Sequence, residues 1–272
     1  MVSQHRLSVK RSCSALRLSR AAYYKPRVDW VEKDRPVVDE LNALVQTHHR
    51  WGFWKCYDRM RFTGRPWNHK RVLRVYRGMK LNLPRRAKKR IPYRERQPLV
   101  VTAAPNQVWS VDFMSDALYC GRRFRTFNVL DEGVREALAI EIDTSLPSQR
   151  VVRVLERIKQ DRGLPLAIRL DNGPEFIAQE LADWCERNNV ELRYIQPGKP
   201  DQNAYIERFN RTYRDEVLDC YLFDDLEQVR EITEAWLKTY NEVRPHDALG
   251  RLPPAAFRAR LKTRNSTSEL ST

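Results

Sequence analysis

The stretch L164-P-L-A-I-R-L-D-N-G-P-E-F176 runs a short apolar segment straight into Asp171, an Asn-Gly turn and a second acid, Glu175. An apolar run of this length bounded by turn residues predicts a buried strand. Asp171 is then a carboxylate set where that strand meets a turn, in a chain of formal net charge +15. Upstream, Ser148 opens an amphipathic helix that ends at Gly163. Before it, VWSVDFM (108–114), FRTFNVLDEG (124–133) and EALAIEIDTS (136–145) predict three strands in an antiparallel meander. Downstream, PEFIAQELADWCERNN (174–189) predicts a helix with Pro174 in its first turn, and VELRYIQP (190–197) another strand. DQNAYIERFNRTYRDEVLDCYL (201–222) and LEQVREITEAWLKTYNEVRP (226–245) predict two further helices. Three meander strands followed by alternating helix and strand specify an α/β fold, a mixed five-stranded sheet with helices on both faces.

The chain has 272 residues, 42% of them hydrophobic, enough to bury a normal core. No apolar run reaches the roughly 20 residues of a membrane span, and the first residues lack the apolar core of a signal peptide. Five scattered cysteines without a C-x-x-C fit a reducing cytoplasm and argue against a disulfide framework or a cysteine zinc site. Residues 1–98 carry 26 Lys+Arg against 7 Asp+Glu, and residues 99–272 carry 24 against 28. A basic amino-terminal part joined to a slightly acidic remainder suggests a polyanion-binding module attached to something else.

That basic part reads as helical. LSVKRSCSALRLSRAAYYKPR (7–27) predicts two short helices around a turn at Arg17–Ser19, stopped by Pro26. An amphipathic helix follows near PVVDELNALVQTHH (36–49). Thr63–Pro66 then breaks a helix, and Asn68 caps the next. On that helix Val72, Val75, Tyr76 and Met79 fall at core spacing, while Lys70, Arg71, Arg74 and Arg77 lie on the exposed side as candidate phosphate contacts. LPRRAKKRIPYRERQP (83–98) reads as a basic linker, with Arg85, Arg86, Lys88 and Lys89 able to follow a DNA backbone. The expected domains are a helix-turn-helix region (1–82), this linker, an α/β core (99–222), a helical extension (223–260) and a disordered tail (261–272).

Three acids stand out by position: Asp112 inside the first strand, Asp171 ending the fourth, and Glu207 on the helix after the fifth. If strands one and four are neighbours and that helix crosses their ends, the three converge. Converging carboxylates repel unless a cation is present, and an all-oxygen site suits Mg²⁺ or Mn²⁺. Two such ions about 3.5–4 Å apart would serve phosphodiester displacement. Each acid also has a plainer explanation. Asp112 could face solvent on an edge strand, Asp171 could cap the helix near Pro174, and Glu207 could pair with Arg211.

The segments W109-S-V-D-F-M, R169-L-D-N-G-P-E-F and Q196-P-G-K-P-D-Q-N-A-Y-I-E-R-F-N-R-T212 resemble the catalytic core of bacterial insertion-sequence DDE transposases, and are similar to retroviral integrases. Asp171 and Glu207 are separated by 35 residues, the D-D-35-E spacing of that group. Y240-N-E-V-R-P-H-D-A-L-G-R-L-P-P-A-A-F257 resembles the carboxy-terminal signature of these transposases, and W67-N-H-K-R-V the helix-turn-helix preceding their cores. The nearest resemblance is to the second-reading-frame (orfB-type) product of the IS-three family.

The resemblance implies a ribonuclease-H-like fold, with Asp112, Asp171 and Glu207 as catalytic metal ligands holding two Mg²⁺ or Mn²⁺. Asn172 and Gly173 would shape the turn, with Glu175 in support. Lys199, Gln202, Asn203, Arg208 and Arg211 become candidates to hold a DNA end, and His246 either touches DNA or packs between helices. Integrases carry an amino-terminal zinc site of two histidines and two cysteines. Here His48, His49 and Cys56 lack a second cysteine at ligand spacing, so no zinc is expected. The implied activity is cleavage at element ends and strand transfer of a 3′-hydroxyl into DNA. Implied partners are the terminal inverted repeats, target DNA, further copies of the chain and an upstream-frame transposase segment, in a bacterial cytoplasm and on the nucleoid. The rival readings are a metal-dependent nuclease without joining activity and an inert DNA-binding regulator.

Overall fold

The computed structural model describes residues 7–26, 29–84, 104–173, 175–196 and 200–269. Helices Val9–Ala15 (α1), Arg20–Tyr24 (α2), Trp30–Thr47 (α3), Phe53–Phe62 (α4) and His69–Gly78 (α5) precede the sheet. The chain divides into two compact units, Met1–His49 with Asn68–Leu81, and Arg50–Trp67 with Asn82–Thr272.

In the first unit each helix starts on a side-chain cap. Ser8, Ser19, Asp29 and Asn68 accept hydrogen bonds from amides of the first turn, each contributing about 1 kcal/mol. Asp29 starts α3 seven residues ahead of Pro36, which the helix accommodates in its interior. Val37 and Leu41 of α3 and Val72, Val75 and Tyr76 of α5 are buried. Asp34, also buried, takes Arg71 at 2.9 Å and Arg74 at 2.7 Å. Two of the four basic residues expected to face DNA on α5 are therefore engaged in holding α3 to α5. Lys70 and Arg77 make no ion pair among the described residues.

The second unit is built on strands Val108–Ala117 (β1), Arg123–Asp131 (β2), Ala137–Asp143 (β3), Ala167–Leu170 (β4) and Glu191–Tyr194 (β5), in the order β3-β2-β1-β4-β5. The first three pair antiparallel; β4 is parallel to both β1 and β5. β1 is thus central, and strand alternation decides which of its side chains face which layer. Trp109 and Val111, with Phe127 and Val129 of β2, join the core beneath helices Ser148–Arg162 (α6) and Gln179–Arg187 (α7). Leu130, Ile140 and Ile142 point to the other face. Helices Ala204–Tyr213 (α8) and Leu226–Glu242 (α9) cover it through Ile206, Phe209, Tyr213 and Trp236. A π-helical turn, Arg214–Leu218, prolongs α8 and buries Val217 and Leu218.

Three boundaries differ from expectation. α7 begins at Gln179, five residues after Pro174, because Phe176 is drawn into the core against Phe113 (ring centroids 4.9 Å) while its carbonyl accepts from the Tyr194 hydroxyl. The tail expected to be disordered is helical as far as Glu269, in helix Pro254–Glu269 (α10). The two units also do not meet at a single boundary near residue 82. α4 packs with the second unit, where Asp58 pairs with Arg251 at 3.1 Å and the Arg251 guanidinium lies over Trp54. Among the described residues no helix is long and apolar enough to cross a membrane.

Candidate active site

Asp112 follows the parity of β1. It is one residue out of step with Trp109 and Val111, so its side chain faces α8. Its cross-strand neighbour is Asn128 of β2, a buried polar residue in an apolar strand. Asn210 of α8 closes a relay. Asn128 Nδ2 donates to Asn210 Oδ1 at 2.7 Å, and Asn210 Nδ2 donates to Asp112 Oδ2 at 2.7 Å. The other oxygen, Asp112 Oδ1, accepts from the Phe113 amide at 2.8 Å. Both carboxylate oxygens are fixed before any ligand arrives.

Asp171 follows the last residue of β4, next to β1 in the sheet. Its Oδ1 accepts from the Gly173 amide at 3.0 Å. A Cβ on Gly173 would sit 3.0 Å from that same oxygen and 3.6 Å from Glu175 Oε2, so a larger residue there would press on the Asp171 carboxylate. Glu175 is held by Arg125 of β2, whose guanidinium lies 4.4 Å from the centre of the Phe113 ring. This ion pair keeps the Glu175 carboxyl below its ordinary range despite burial. Glu207 stands exposed on the first turn of α8. Arg169 of β4 anchors the approach to that helix. It binds the fully buried Glu132 at 2.8 Å and the Gln202 carbonyl at 3.1 Å.

The plainer roles are not formed. Asp112 is on a central strand, Asp171 closes its own turn rather than capping α7, and Glu207 makes no ion pair among the described residues. Instead Asp171 and Glu207 both bear on Asp112. Burial raises the Asp112 carboxyl from 3.8 to about 6, and the negative charges of Asp171 and Glu207 push it the same way, against the Phe113 and Asn210 hydrogen bonds. Among the described residues, however, no three His, Cys, Asp or Glu side chains stand at metal-site spacing.

The candidate DNA contacts divide. Arg208 and Arg211 are exposed on α8. Gln202 is turned back, its Oε1 accepting from the Gln196 amide at 2.8 Å. Asn203, expected to touch DNA, is 4% exposed, its Oδ1 buried without a partner, so it faces the interior. Lys199, Arg85, Arg86, Lys88 and Lys89 lie outside the described residues. His246 packs edge-on against Tyr240 at 4.7 Å. Burial and the nearby Arg244, Lys55 and Arg135 drop its imidazolium to about 3, so it is neutral.

Two integrase core domain models match the chain, over residues 102–200 and 188–254. A 39.2 kDa protein of insertion element IS476 from Xanthomonas euvesicatoria is 38% identical over 98% of this chain and 77% of its own length. The chain belongs to the integrase-core family of insertion-sequence transposases. A 31.7 kDa protein of insertion element IS407 from Burkholderia multivorans is 39% identical, covering 93% of the transposase chain and 91% of its own. Among solved structures, a chain of the simian T-cell lymphotropic virus intasome in complex with a PP2A regulatory subunit superposes with a TM-score of 0.50. It is 15% identical over 74% of this chain and 70% of that one. The shared architecture is the ribonuclease-H-like integrase core, and the chemistry of the transposase family is polynucleotidyl transfer.

Sequence reasoning named the three acids and, beside Asp171, Gly173 and Glu175, but not Asn128, Asn210 or Arg125. Asn128 and Asn210 each left a trace. A lone amide interrupts the apolar strand F-N-V-L, and Asn210 sits one turn beyond Glu207 among Ile206, Phe209 and Tyr213.

Proposed function

We propose that Asp112, Asp171 and Glu207 are the metal ligands of a DDE transposase that cuts DNA at element ends and joins the freed 3′-hydroxyl to target DNA. The supporting observation is the Asp112 carboxyl, raised first by burial and further by the negative charges of the other two acids. Uncompensated negative charge of this kind is what a hard divalent cation relieves, and an all-carboxylate donor set fits Mg²⁺ or Mn²⁺. Bound there, two ions would polarise the scissile phosphate and lower the cost of charge on the attacking and leaving oxygens.

The chain's own part is positioning. Asn210 and the Phe113 amide aim Asp112, the Gly173 amide aims Asp171, and Arg169 fixes the turn from which α8 presents Glu207. In each transfer an oxygen of water or of a 3′-hydroxyl forms a bond to phosphorus as the P–O3′ bond of the substrate breaks. The nucleophile releases a proton and the departing oxygen takes one up. Lys70 and Arg77 on α5, with Arg208 and Arg211 on α8, bind the DNA backbone; Arg74 contributes through its exposed side, and Arg71, already held by Asp34 and the Lys33 carbonyl, through the nitrogen neither takes. Strand transfer holds two DNA segments, so the working form is an oligomer.

The test is joining of a labelled element-end oligonucleotide to plasmid in Mg²⁺. Asp112→Asn, Asp171→Asn and Glu207→Gln are each expected to abolish cleavage and joining while leaving DNA binding intact. Cleavage without joining by the unaltered chain would leave only a nuclease, and activity retained by all three variants would overturn the assignment.

A further inference from the structure

A cavity of about 260 Å³ opens in the second unit where α4, the end of β2, α8 and the turn after α9 meet. Lys55, Arg135, Arg208 and Arg244 line it, together with Tyr205, His246 and a single acid, Asp247; none of the three site carboxylates does. The four cations come from four separate segments, so the fold, not a local charge run, brings them together.

Their partners account for only part of the charge. Arg244 is satisfied by Glu216, which it grips at 2.9 and 3.1 Å and which also accepts from Trp236. Arg135 stacks on the Tyr205 ring at 3.5 Å and donates to the Glu132 carbonyl, a neutral acceptor. Lys55 and Arg208 have no hydrogen-bonded or ion-paired acceptor among the described residues. Burial, with Arg244 and Arg208 nearby, lowers the Lys55 ammonium to about 8, against the opposing influence of Glu216 and Asp247. His246 is neutral and supplies no charge. A half-buried ammonium without a counter-ion, beside three guanidiniums, is an arrangement that an anion stabilises. The volume is several times the ~30 Å³ share of one water, room for a tetrahedral oxyanion and its solvent.

We propose that this cavity is a phosphate-binding site, separate from the carboxylate centre, whose occupant is a backbone phosphate of the DNA the transposase holds. The assignment to DNA rests on the function proposed above; the phosphate chemistry does not. The site would clamp the nucleic acid from the side of α8 that carries Arg208, one residue along from Glu207.

The full chain, in chelator and without divalent ions, is titrated with inorganic phosphate while its melting temperature is followed. It is then titrated with a fluorescent duplex at several salt concentrations. Phosphate is expected to raise the melting temperature of the unaltered chain and not that of Lys55→Met. Lys55→Met should itself melt no lower than the unaltered chain, since it removes repulsion and keeps the apolar stem. It is also expected to weaken duplex binding about 3- to 10-fold and to flatten the plot of log affinity against log salt by about one, with Lys55→Arg restoring both. Phosphate protection with an unchanged duplex slope would overturn the DNA occupant and leave a site for free phosphate. Absence of both effects would overturn the site. Neither readout involves cleavage, so the result stands apart from the fate of the carboxylate assignment.

Discussion

Replacing Asp112 by Asn removes a charge while keeping the shape, and the consequence for stability follows from its surroundings. The rise from 3.8 to about 6 spans about two pK units, or ~3 kcal/mol of unfavourable ionisation in the folded, metal-free protein at pH 7. The folded-state value lies above the unfolded one, so between them the folded state binds the extra proton. Stability from this group is therefore full below about pH 4 and is lost as pH rises through about 6. The relay can accept an amide. If Asn210 and Asn128 both turn end for end, Asn210 Oδ1 accepts from the new amide and Asn210 Nδ2 donates to Asn128 Oδ1, which otherwise has no partner. Urea unfolding in chelator should therefore show Asp112→Asn about 2–3 kcal/mol more stable than the unaltered chain at pH 7, with no gain at pH 4. Added Mg²⁺ should stabilise the unaltered chain and leave the variant where it was. A variant less stable at pH 7, or equally stabilised at both pH values, would refute the electrostatic reasoning.

Asn210→Ala removes the donor that orients Asp112 Oδ2. The Mg²⁺ concentration needed for half-maximal joining is expected to rise about 10-fold or more, with duplex affinity unchanged. In the first unit, Asp34→Asn removes the charge that Arg71 and Arg74 share and leaves one acceptor oxygen for two donors. It should cost about 1–3 kcal/mol in unfolding of that unit, less than a fully buried pair would because Arg74 is exposed. Burial alone would raise the Asp34 carboxyl, but the two guanidiniums hold it below 3.8. The same stabilisation is thus present above about pH 4 and disappears as acid titrates through the depressed value, which circular dichroism at falling pH would follow.

The sheet was legible because its signals are local. The meander segments VWSVDFM and FRTFNVLDEG, the short apolar run before Asp171 and the helix opening at Ser148 reappear as β1, β2, β4 and α6. Of the three proposed ligands, only Asp112 breaks a local pattern, as a charge inside an apolar strand; Asp171 in a turn and Glu207 on a helix surface are ordinary singly and were joined to it by the spacing and the family resemblance. Tertiary contacts decided the rest. Pro174 signals a helix start, yet burial of Phe176 delays α7 to Gln179. Arg71 and Arg74 have the spacing of an exposed basic face, and nothing near them in sequence reveals that Asp34, 37 residues earlier, claims Arg71. The cavity cations are separated by up to 189 positions, from Lys55 to Arg244, and leave no pattern to read. α4 gives a similar lesson, for its attachment to the second unit depends on Arg251, far along the chain.

The most direct measurement is anomalous scattering from crystals of the chain bound to an element-end duplex and soaked in Mn²⁺. The expected result is density for manganese bridging Asp112 and Asp171, with Glu207 drawn to within ~2.6 Å of an ion. Manganese bound elsewhere, or three carboxylates still too far apart to share an ion with DNA engaged, would contradict the account.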